Sequence, residues 1–150
     1  MPIIDEHISI SRSPEDVFDY VSKSENVPIW DSSIIRAEQI GDEPVTVGTR
    51  FRGSSKILGR NFDWTTEASE YDRPRRLTYK SVEGTLNFTV TNIFEAADGG
   101  TLFTYTLDAA TGLGGVFGRL GDRQVPKAQD RYLRASLETL PQRLTQAPVK

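Results

Sequence analysis

Hydrophobic and polar residues alternate along much of the chain before residue 110. The clearest alternation covers 85–94, where one face carries Leu86, Phe88, Val90, Asn92 and Phe94. Four of those five residues are apolar, whereas Ile93 is the one apolar residue on the opposite face. A period of two with one apolar face predicts a β-strand that has one side in the core and the other in water.

The same alternation recurs at 62–69 and at 103–109, and a looser version occupies 3–10. Turn-forming residues separate the alternating segments, as at Gly41-Asp42-Glu43-Pro44 and Asp98-Gly99-Gly100. Short turns join neighbouring antiparallel strands. We therefore expect a meander of six strands between Ile34 and Ala110, preceded by the strand at 3–10.

The segment after the first strand carries the signals of a helix start. Ser13-Pro14-Glu15-Asp16 supplies an N-cap serine, a proline at the first helical position and acids in the first turn, where the helix dipole favours them. Pro28 interrupts a longer helix, because proline lacks the amide hydrogen that the helix needs. We expect one short helix after Ser13 and a second short helix or turn at 26–30.

The hydrophobic period changes to three or four residues after the glycine-rich segment 112–118, and it continues to Leu144. This pattern predicts one long C-terminal helix of roughly 30 residues, about 45 Å, long enough to cross the predicted sheet. Pro126 should kink this helix or mark its junction with an irregular first turn. The glycine-rich segment lacks the glycine spacing and the βαβ setting of a dinucleotide site, so we expect no nucleotide cofactor.

The elements together predict an α+β protein with the helix-grip fold. In this fold a curved antiparallel sheet of about seven strands surrounds a long C-terminal helix, and two short helices follow the first strand. A chain of 150 residues fits one domain with a sizeable core. We expect a single domain over 1–150.

Composition and charge narrow the classes of function. The formal net charge of −3 gives phosphate backbones little attraction, so no nucleic-acid partner is expected, and the three arginines within 73–76 are read as a solvated turn. The chain has no cysteine and one histidine, His7, so we expect no disulfide, no metal and no cofactor. No stretch is apolar for long enough to span a bilayer, and the expected location is the cytoplasm. The oligomeric state stays open.

Several short motifs occur in a fixed order along the chain. They are Ile8-Ser-Ile10 running into Ser13-Pro14-Glu15-Asp16-Val17-Phe18, Val27-Pro28-Ile29-Trp30, Val47-Gly48-Thr49-Arg50-Phe51, Glu70-Tyr71-Asp72-Arg73-Pro74-Arg75-Arg76-Leu77 and Gly99-Gly100-Thr101. With the order of elements, they resemble the START-related (SRPBCC) superfamily, which includes the birch-pollen allergens and the polyketide cyclase/dehydrase and lipid-transport family. The resemblance implies a helix-grip fold with a cavity. It does not choose among transport, cyclisation, hydrolysis and sensing, since one scaffold can host all of them.

Alternation places one set of side chains on the inner face of the sheet, where a gripped helix leaves space for side chains or for a ligand. Trp30 is expected near the mouth of the cavity and is added to this set. The candidate ligand contacts are Trp64, Asn92, Tyr79, Tyr105, Phe62, Phe88, Phe103, Thr66, Ala68, Glu6 and Trp30. A mostly apolar lining with few polar groups suits a small hydrophobic molecule. The alternative is that the aromatic side chains fill the core and the small residues let the helix approach closely.

Four of these candidates could carry chemistry. Glu6 and Asn92 fall among apolar neighbours, where an unsatisfied polar group costs roughly 1–3 kcal/mol. They either contact a ligand, with Glu6 as a candidate base, or they are structural, with Glu6 paired to an arginine at the rim and Asn92 bonded to backbone at a bulge. Tyr79 and Tyr105 could donate to a substrate carbonyl, or to a neighbouring backbone carbonyl. The catalytic residues stay unknown.

The leading interpretation is the binding or transport of a small hydrophobic molecule, such as a lipid, a polyketide or an aromatic metabolite. A second interpretation is a polyketide aromatase/cyclase whose cavity residues polarise a carbonyl and move protons. A third is a protein-interaction module or intracellular effector with a vestigial cavity. Polar groups that converge in the cavity would favour the second, and a filled interior with an exposed apolar patch would favour the third.

Overall fold

The computed structural model describes residues 4–31, 34–57, 60–84, 87–109 and Leu140. The predicted glycine-rich segment and the predicted C-terminal helix lie outside the described residues, with the exception of Leu140. That residue is helical and fully buried, and it belongs to the main hydrophobic core.

Seven strands form one antiparallel sheet, as the alternation predicts. In chain order the strands are β1 (Ile4–Ile10), β2 (Ile34–Ile40), β3 (Arg50–Ile57), β4 (Arg60–Asp72), β5 (Arg76–Gly84), β6 (Phe88–Ala97) and β7 (Gly100–Ala109). Their order across the sheet is β1-β7-β6-β5-β4-β3-β2, so β2 to β7 form a meander and β1 joins it beside β7.

The sheet is curved, and irregular pairing accompanies the curvature. The register between β2 and β3 shifts after Ile34, and the register between β4 and β5 shifts at two places. Bulges of this kind bend a strand and increase its twist. The curvature gives the sheet a concave face, and the large buried apolar side chains of β3 to β7 point toward it.

The helix α1 (Pro14–Ser22) begins where the sequence predicts. The Ser13 side-chain oxygen accepts a hydrogen bond from the Asp16 amide at 3.2 Å, as an N-cap does. The buried face of the helix carries Val17, Phe18 and Val21. Phe18 makes an edge-to-face contact with Phe94 on β6, at 5.0 Å between ring centroids, and so holds α1 on the sheet.

A short helical connection leads from α1 to β2. It consists of a 3₁₀ turn at Ser24–Asn26 and the helix α2 (Val27–Trp30), which confirms the second short helix expected around Pro28. Trp30 ends α2 and is buried against β7, with its ring edge-to-face to Phe103 at 6.1 Å and to Tyr105 at 6.3 Å. This contact fixes α2 above one end of the concave face.

The arginine-rich turn between β4 and β5 is an ion-pair network. Arg73 makes two hydrogen bonds to the Asp19 carboxylate on α1, at 2.8 and 2.7 Å. Arg75 pairs with Asp72, and Arg76 pairs with a carboxylate of β4. Each arginine therefore faces an acid of this chain, in agreement with a solvated turn.

Candidate functional site

A cavity of about 130 Å³ lies between the concave face of β3 to β7 and the helical connection from α1 to β2. A cavity of about 150 Å³ in another protein admits benzene, so the space here suits a small ring compound. Its walls are mostly apolar and aromatic. The aromatic side chains that line it are Trp30, Phe51, Trp64, Tyr79, Phe88 and Tyr105.

Trp64 forms part of the wall because its strand neighbour on β3 has no side chain. The indole lies across Gly53, where a Cβ atom would come within 2.6 Å of the Trp64 Cη2 atom and would also collide with the Arg36 carbonyl oxygen. The indole N–H donates to the Ser55 hydroxyl at 2.8 Å. The ring is thereby fixed in orientation, with its polar atom satisfied by the protein.

One of the two polar groups of the Asn92 side-chain amide has a hydrogen-bond partner among the described residues, and the other has none. Its amide nitrogen donates to the Leu77 carbonyl at 3.4 Å, whereas its Oδ1 atom has no hydrogen-bond partner among the described residues. The carbonyl of Leu77 can only accept, which places the NH₂ group of Asn92 on that side and its oxygen on the other. Asn92 is 2% exposed, so leaving this oxygen unpaired costs on the order of 1–3 kcal/mol.

Trp30 presents the complementary case, a donor without an acceptor. Its residue is 4% exposed, and its indole N–H has no partner within the described part of the chain. The ring edge lies near Tyr105, while Asn92 is the direct cross-strand neighbour of Tyr105 in the pairing of β6 with β7. An orphan donor and an orphan acceptor therefore flank the same tyrosine at the cavity wall.

Tyr79 and Tyr105 keep neutral hydroxyls in this environment. Burial raises the pKa of the Tyr79 hydroxyl far above its ordinary value, because the phenolate would lose its hydration. Burial also raises the pKa of Tyr105, and the negative charge of Asp31 adds to the effect. Both side chains line the cavity, and both hydroxyls stay neutral in the folded state near neutral pH.

The structure brings together seven of the eleven predicted contacts in this cavity. They are Trp30, Trp64, Thr66, Tyr79, Phe88, Asn92 and Tyr105. The prediction of a polar Asn92 on a buried face is confirmed. Its bond to the Leu77 carbonyl also fits the structural interpretation in part, while its Oδ1 atom has no partner among the described residues.

The other four predicted contacts are not among the lining residues. Phe62 and Ala68 are buried on β4, beyond the part of the strand that borders the cavity, and Phe103 is buried in the core between Trp30 and Phe94. Glu6 is half-buried on β1, opposite Tyr105 in the strand pairing. Alternation correctly places them on the inner face or near it, but the inner face extends beyond the cavity.

Several lining residues were not among the predicted contacts. They are Val21, Ser24, Val27, Asp31, Ile34, Ala37, Phe51, Ser55, Val90 and Leu107. Alternation places Phe51, Ser55 and Val90 on the inner face, although they are not among the residues predicted to contact a ligand. Asp31 could not, because it follows an irregular helical connection in which no sequence period fixes the direction of a side chain.

The described part of the chain contains neither a metal-ligand cluster nor a membrane-spanning helix. No group of three histidine, cysteine or acidic side chains there could hold a metal ion. No helix among the described residues is long and apolar enough to cross a membrane. His7 lies exposed on β1, so the one histidine of the chain does not face the cavity.

Comparison with solved structures gives the same fold at low sequence identity. The protein TTHA0849 from Thermus thermophilus superposes with a TM-score of 0.77 at 22% identity, over 97% of this chain and 99% of that one. The Zhui aromatase/cyclase from Streptomyces sp. R1128 gives 0.71 at 14% identity, over 94% of each chain. Ara h 8.0201 gives 0.65 at 15% identity, over 96% of this chain and 97% of that one. No curated protein matches by sequence.

A curved seven-stranded sheet with two short helices over a concave apolar cavity defines the START-related class of ligand-cavity folds. Within this class, the chain belongs to the polyketide cyclase/dehydrase and lipid transport family, whose sequence profile matches residues 1–145. The resemblance seen in the sequence motifs is thereby confirmed.

Proposed function

We propose that the chain binds a small, mostly hydrophobic molecule in the cavity beside Trp64. The observation that carries this proposal is the cavity itself, walled by six aromatic side chains and left unfilled by the described residues. A mostly apolar ligand in this space would remove its own apolar surface and that of the aromatic walls from water, which favours binding.

Leu140 packs in the same core as Val21, Phe103 and Leu107, and Val21 and Leu107 also line the cavity. Family membership and the cavity support a binder of lipids, polyketides or aromatic metabolites. The interaction-module interpretation requires a filled interior, whereas the binding proposal rests on the cavity that the described residues line.

The binding proposal is tested with a single indole as reporter. Trp30→Phe leaves Trp64, whose ring lies in the cavity wall, as the sole tryptophan of the chain. We expect titration with naphthalene, naphthol or a medium-chain fatty alcohol to change the Trp64 emission saturably. Trp64→Phe is the complementary variant, because Trp30, which also lines the cavity, is then the sole reporter. A linear, non-saturating response in both variants would contradict a cavity that binds.

A second candidate function is catalysis of the aromatase/cyclase type, and one observation favours it. Tyr79 and Tyr105, whose hydroxyls stay neutral, line the same cavity as Asn92, so polar side chains border the space that a bound molecule would occupy. Neutral phenols can hydrogen-bond to a substrate carbonyl and stabilise charge that develops on its oxygen. Conversion of a linear poly-β-ketone mimic by the parent protein, lost in Tyr105→Phe, would support it. Binding of the mimic without any product would leave the chain a binder.

A further inference from the structure

The exposed large hydrophobic side chains concentrate at one edge of the sheet. Among the described residues they are Ile29, Ile35, Ile40, Val47 and Val82. The first four lie on α2, on β2 or on the connection that follows β2, and α2 packs beside β2, which ends the sheet. Single exposed apolar side chains are ordinary on a protein surface, whereas a group of them on one side marks an interaction surface.

The two edge strands of the sheet, β1 and β2, differ in what they expose. Among the described residues no strand pairs with the outer side of either. The exposed residues of β1 include Asp5, His7 and Ser9, polar side chains that suit an edge that stays in water. β2 instead exposes Ile35 and Ile40, and it has neither the proline nor the lysine that keep many edge strands apart. The β2 edge is therefore suited to pairing with a further strand.

The charges of β2 are complementary to those of a second β2. Arg36 and Glu38 lie on either side of Ala37, in the part of the strand that pairs regularly with β3. When two β2 strands pair antiparallel about a two-fold axis at Ala37, Arg36 of each copy lies opposite Glu38 of the other. Opposite charges directly across a strand pair stabilise the pairing, and like charges destabilise it.

Other registers of the same pairing lack this complementarity. Residues opposite each other must face the same side of the sheet, so the axis passes at a residue and not between two residues. An axis at Arg36 would oppose two arginines, and an axis at Glu38 would oppose two glutamates. An axis at Gln39 would oppose Glu38 to Ile40. The axis at Ala37 is the one among these four that pairs opposite charges.

The ion pairs within the chain leave both charged side chains able to reach a second copy. The Arg36 guanidinium is about half exposed and lies 3.8 Å from carboxylate oxygens of Glu38 and Asp63, at the outer limit of an ion pair. Glu38 is equally exposed and accepts from Arg52 at Oε1. A carboxylate has two oxygens and accepts more than one donor, so Glu38 can accept from a second arginine as well.

We propose that the chain forms a two-fold homodimer in which the β2 strands of two copies pair antiparallel, with Ala37 opposite Ala37. The two sheets then join into one continuous sheet, and the main-chain groups at both β2 edges gain hydrogen-bond partners. Ile34 and Ala37 also line the cavity, so the joint lies beside the cavity walls of both copies.

Sedimentation equilibrium tests the dimer and its register. The mass of the parent protein should approach twice that of one chain as the concentration rises. Arg36→Glu and Glu38→Arg each oppose like charges twice, because of the two-fold axis, and each should raise the dimer dissociation constant at least about tenfold. Arg50→Glu is the matched control, because Arg50 is a similarly exposed arginine on β3, and it should leave the dissociation constant unchanged.

A mixture of the two single variants separates a lost contact from a damaged fold. The Arg36→Glu copy carries two acids at these positions and the Glu38→Arg copy carries two arginines, so a heterodimer restores both opposite-charge contacts. We expect the mixture, and also the Arg36→Glu/Glu38→Arg double variant, to dimerise about as tightly as the parent.

Three results would overturn the proposed dimer. The first is a parent protein that stays monomeric at its highest soluble concentration. The second is a dimer that both single variants keep unchanged, because it would then form through another surface. The third is a monomer that binds vesicles of neutral phosphatidylcholine, which would assign the apolar edge to a membrane surface.

Discussion

The orientation of the Trp64 indole depends on neighbouring residues and cannot be predicted from the alternation of its own strand. Alternation predicts that it faces inward, and it does line the cavity. The orientation of the indole is set by Gly53, which leaves room for the ring, and by Ser55, which accepts its N–H. Such a three-residue arrangement spans two strands, so it emerges only once the β3–β4 register is known.

Alternation at the residue scale fails where the pairing of strands is irregular. The β4–β5 register shifts between Ala68 and Glu70, so one extra residue lies on β4. A strict period of two from Trp64 would turn Glu70 inward and Tyr71 outward. Instead Glu70 is exposed, and Tyr71 packs edge-to-face on Phe18 at 5.5 Å between ring centroids. After a bulge, the residues that would face inward face outward, and the reverse. The hydrophobic period of the sequence does not predict where a bulge occurs.

The buried hydroxyl of Tyr105 predicts a dependence of stability on alkaline pH. Burial raises its pKa in the folded state, while the unfolded chain ionises near the ordinary value of about 10. Above that pH the unfolded state loses a proton that the folded state keeps, so the free energy of unfolding falls as pH rises. The decline should be shallower in Tyr105→Phe, by up to about 1.4 kcal/mol per pH unit.

Urea unfolding of parent and variant at several pH values between about 8 and about 11 measures this difference. Tyr79→Phe should give a change of the same sign, since burial raises the pKa of that hydroxyl too. Parallel curves for the parent and both variants would mean that these hydroxyls ionise equally in both states, which is incompatible with their burial in the cavity wall.

At the scale of elements, local signals define α1 well. Ser13 caps the helix, Pro14 occupies its first position, and the period of the apolar residues directs Val17, Phe18 and Val21 to the sheet. The strands are equally clear, because one face of each is apolar. The irregular connection from 23 to 31 is less predictable, since its 3₁₀ turn and single-turn helix have no period. That connection carries both Trp30 and Asp31 into the cavity wall.

The N-cap of α1 gives a prediction for this element. Ser13→Ala removes the oxygen that accepts from the Asp16 amide and should cost about 1 kcal/mol of unfolding free energy. For a chain of this length, that loss lowers the melting temperature by about 2–4 °C. Ser11→Ala, in the exposed bend just before the helix, is the control and should change stability by less than about 0.5 kcal/mol. Equal effects of both substitutions in thermal unfolding would show that the cap does not stabilise α1.

The cavity is a property of the whole molecule. It arises from the curvature of the sheet together with the position of the helical connection, and no single element determines both. The sequence predicts the curved sheet and an inner apolar face, and both are present. It does not predict where along that face the packing is complete. Phe103 and Ala68 are fully buried, whereas Val90 and Tyr105 on the same face border open space. The boundary depends on the distance between α2 and β7, which is fixed by contacts far apart in the chain.

Two substitutions to phenylalanine test whether the space beside Val90 is a cavity and whether the surroundings of Ala68 are a packed core. Val90 lies on β6 between Tyr79 and Leu107, all three in the cavity lining, so the added ring of Val90→Phe has space to enter. We expect a change in stability below about 1 kcal/mol and a loss of naphthalene binding of at least about tenfold. Ala68 is fully buried outside the lining, so Ala68→Phe should overpack the core and cost about 1–3 kcal/mol or more.

Urea unfolding and the Trp64 fluorescence titration give both quantities for each variant. At a temperature where Ala68→Phe is folded, its affinity for naphthalene should stay within about threefold of the parent value, because its added ring lies outside the cavity. The opposite pattern, a severe loss of stability in Val90→Phe with naphthalene binding retained, would mean that the space beside Val90 closes in solution and that the ligand binds elsewhere. A cavity that receives the ring of Val90→Phe must lose the ligand, because both need the same volume between β6 and the helical connection.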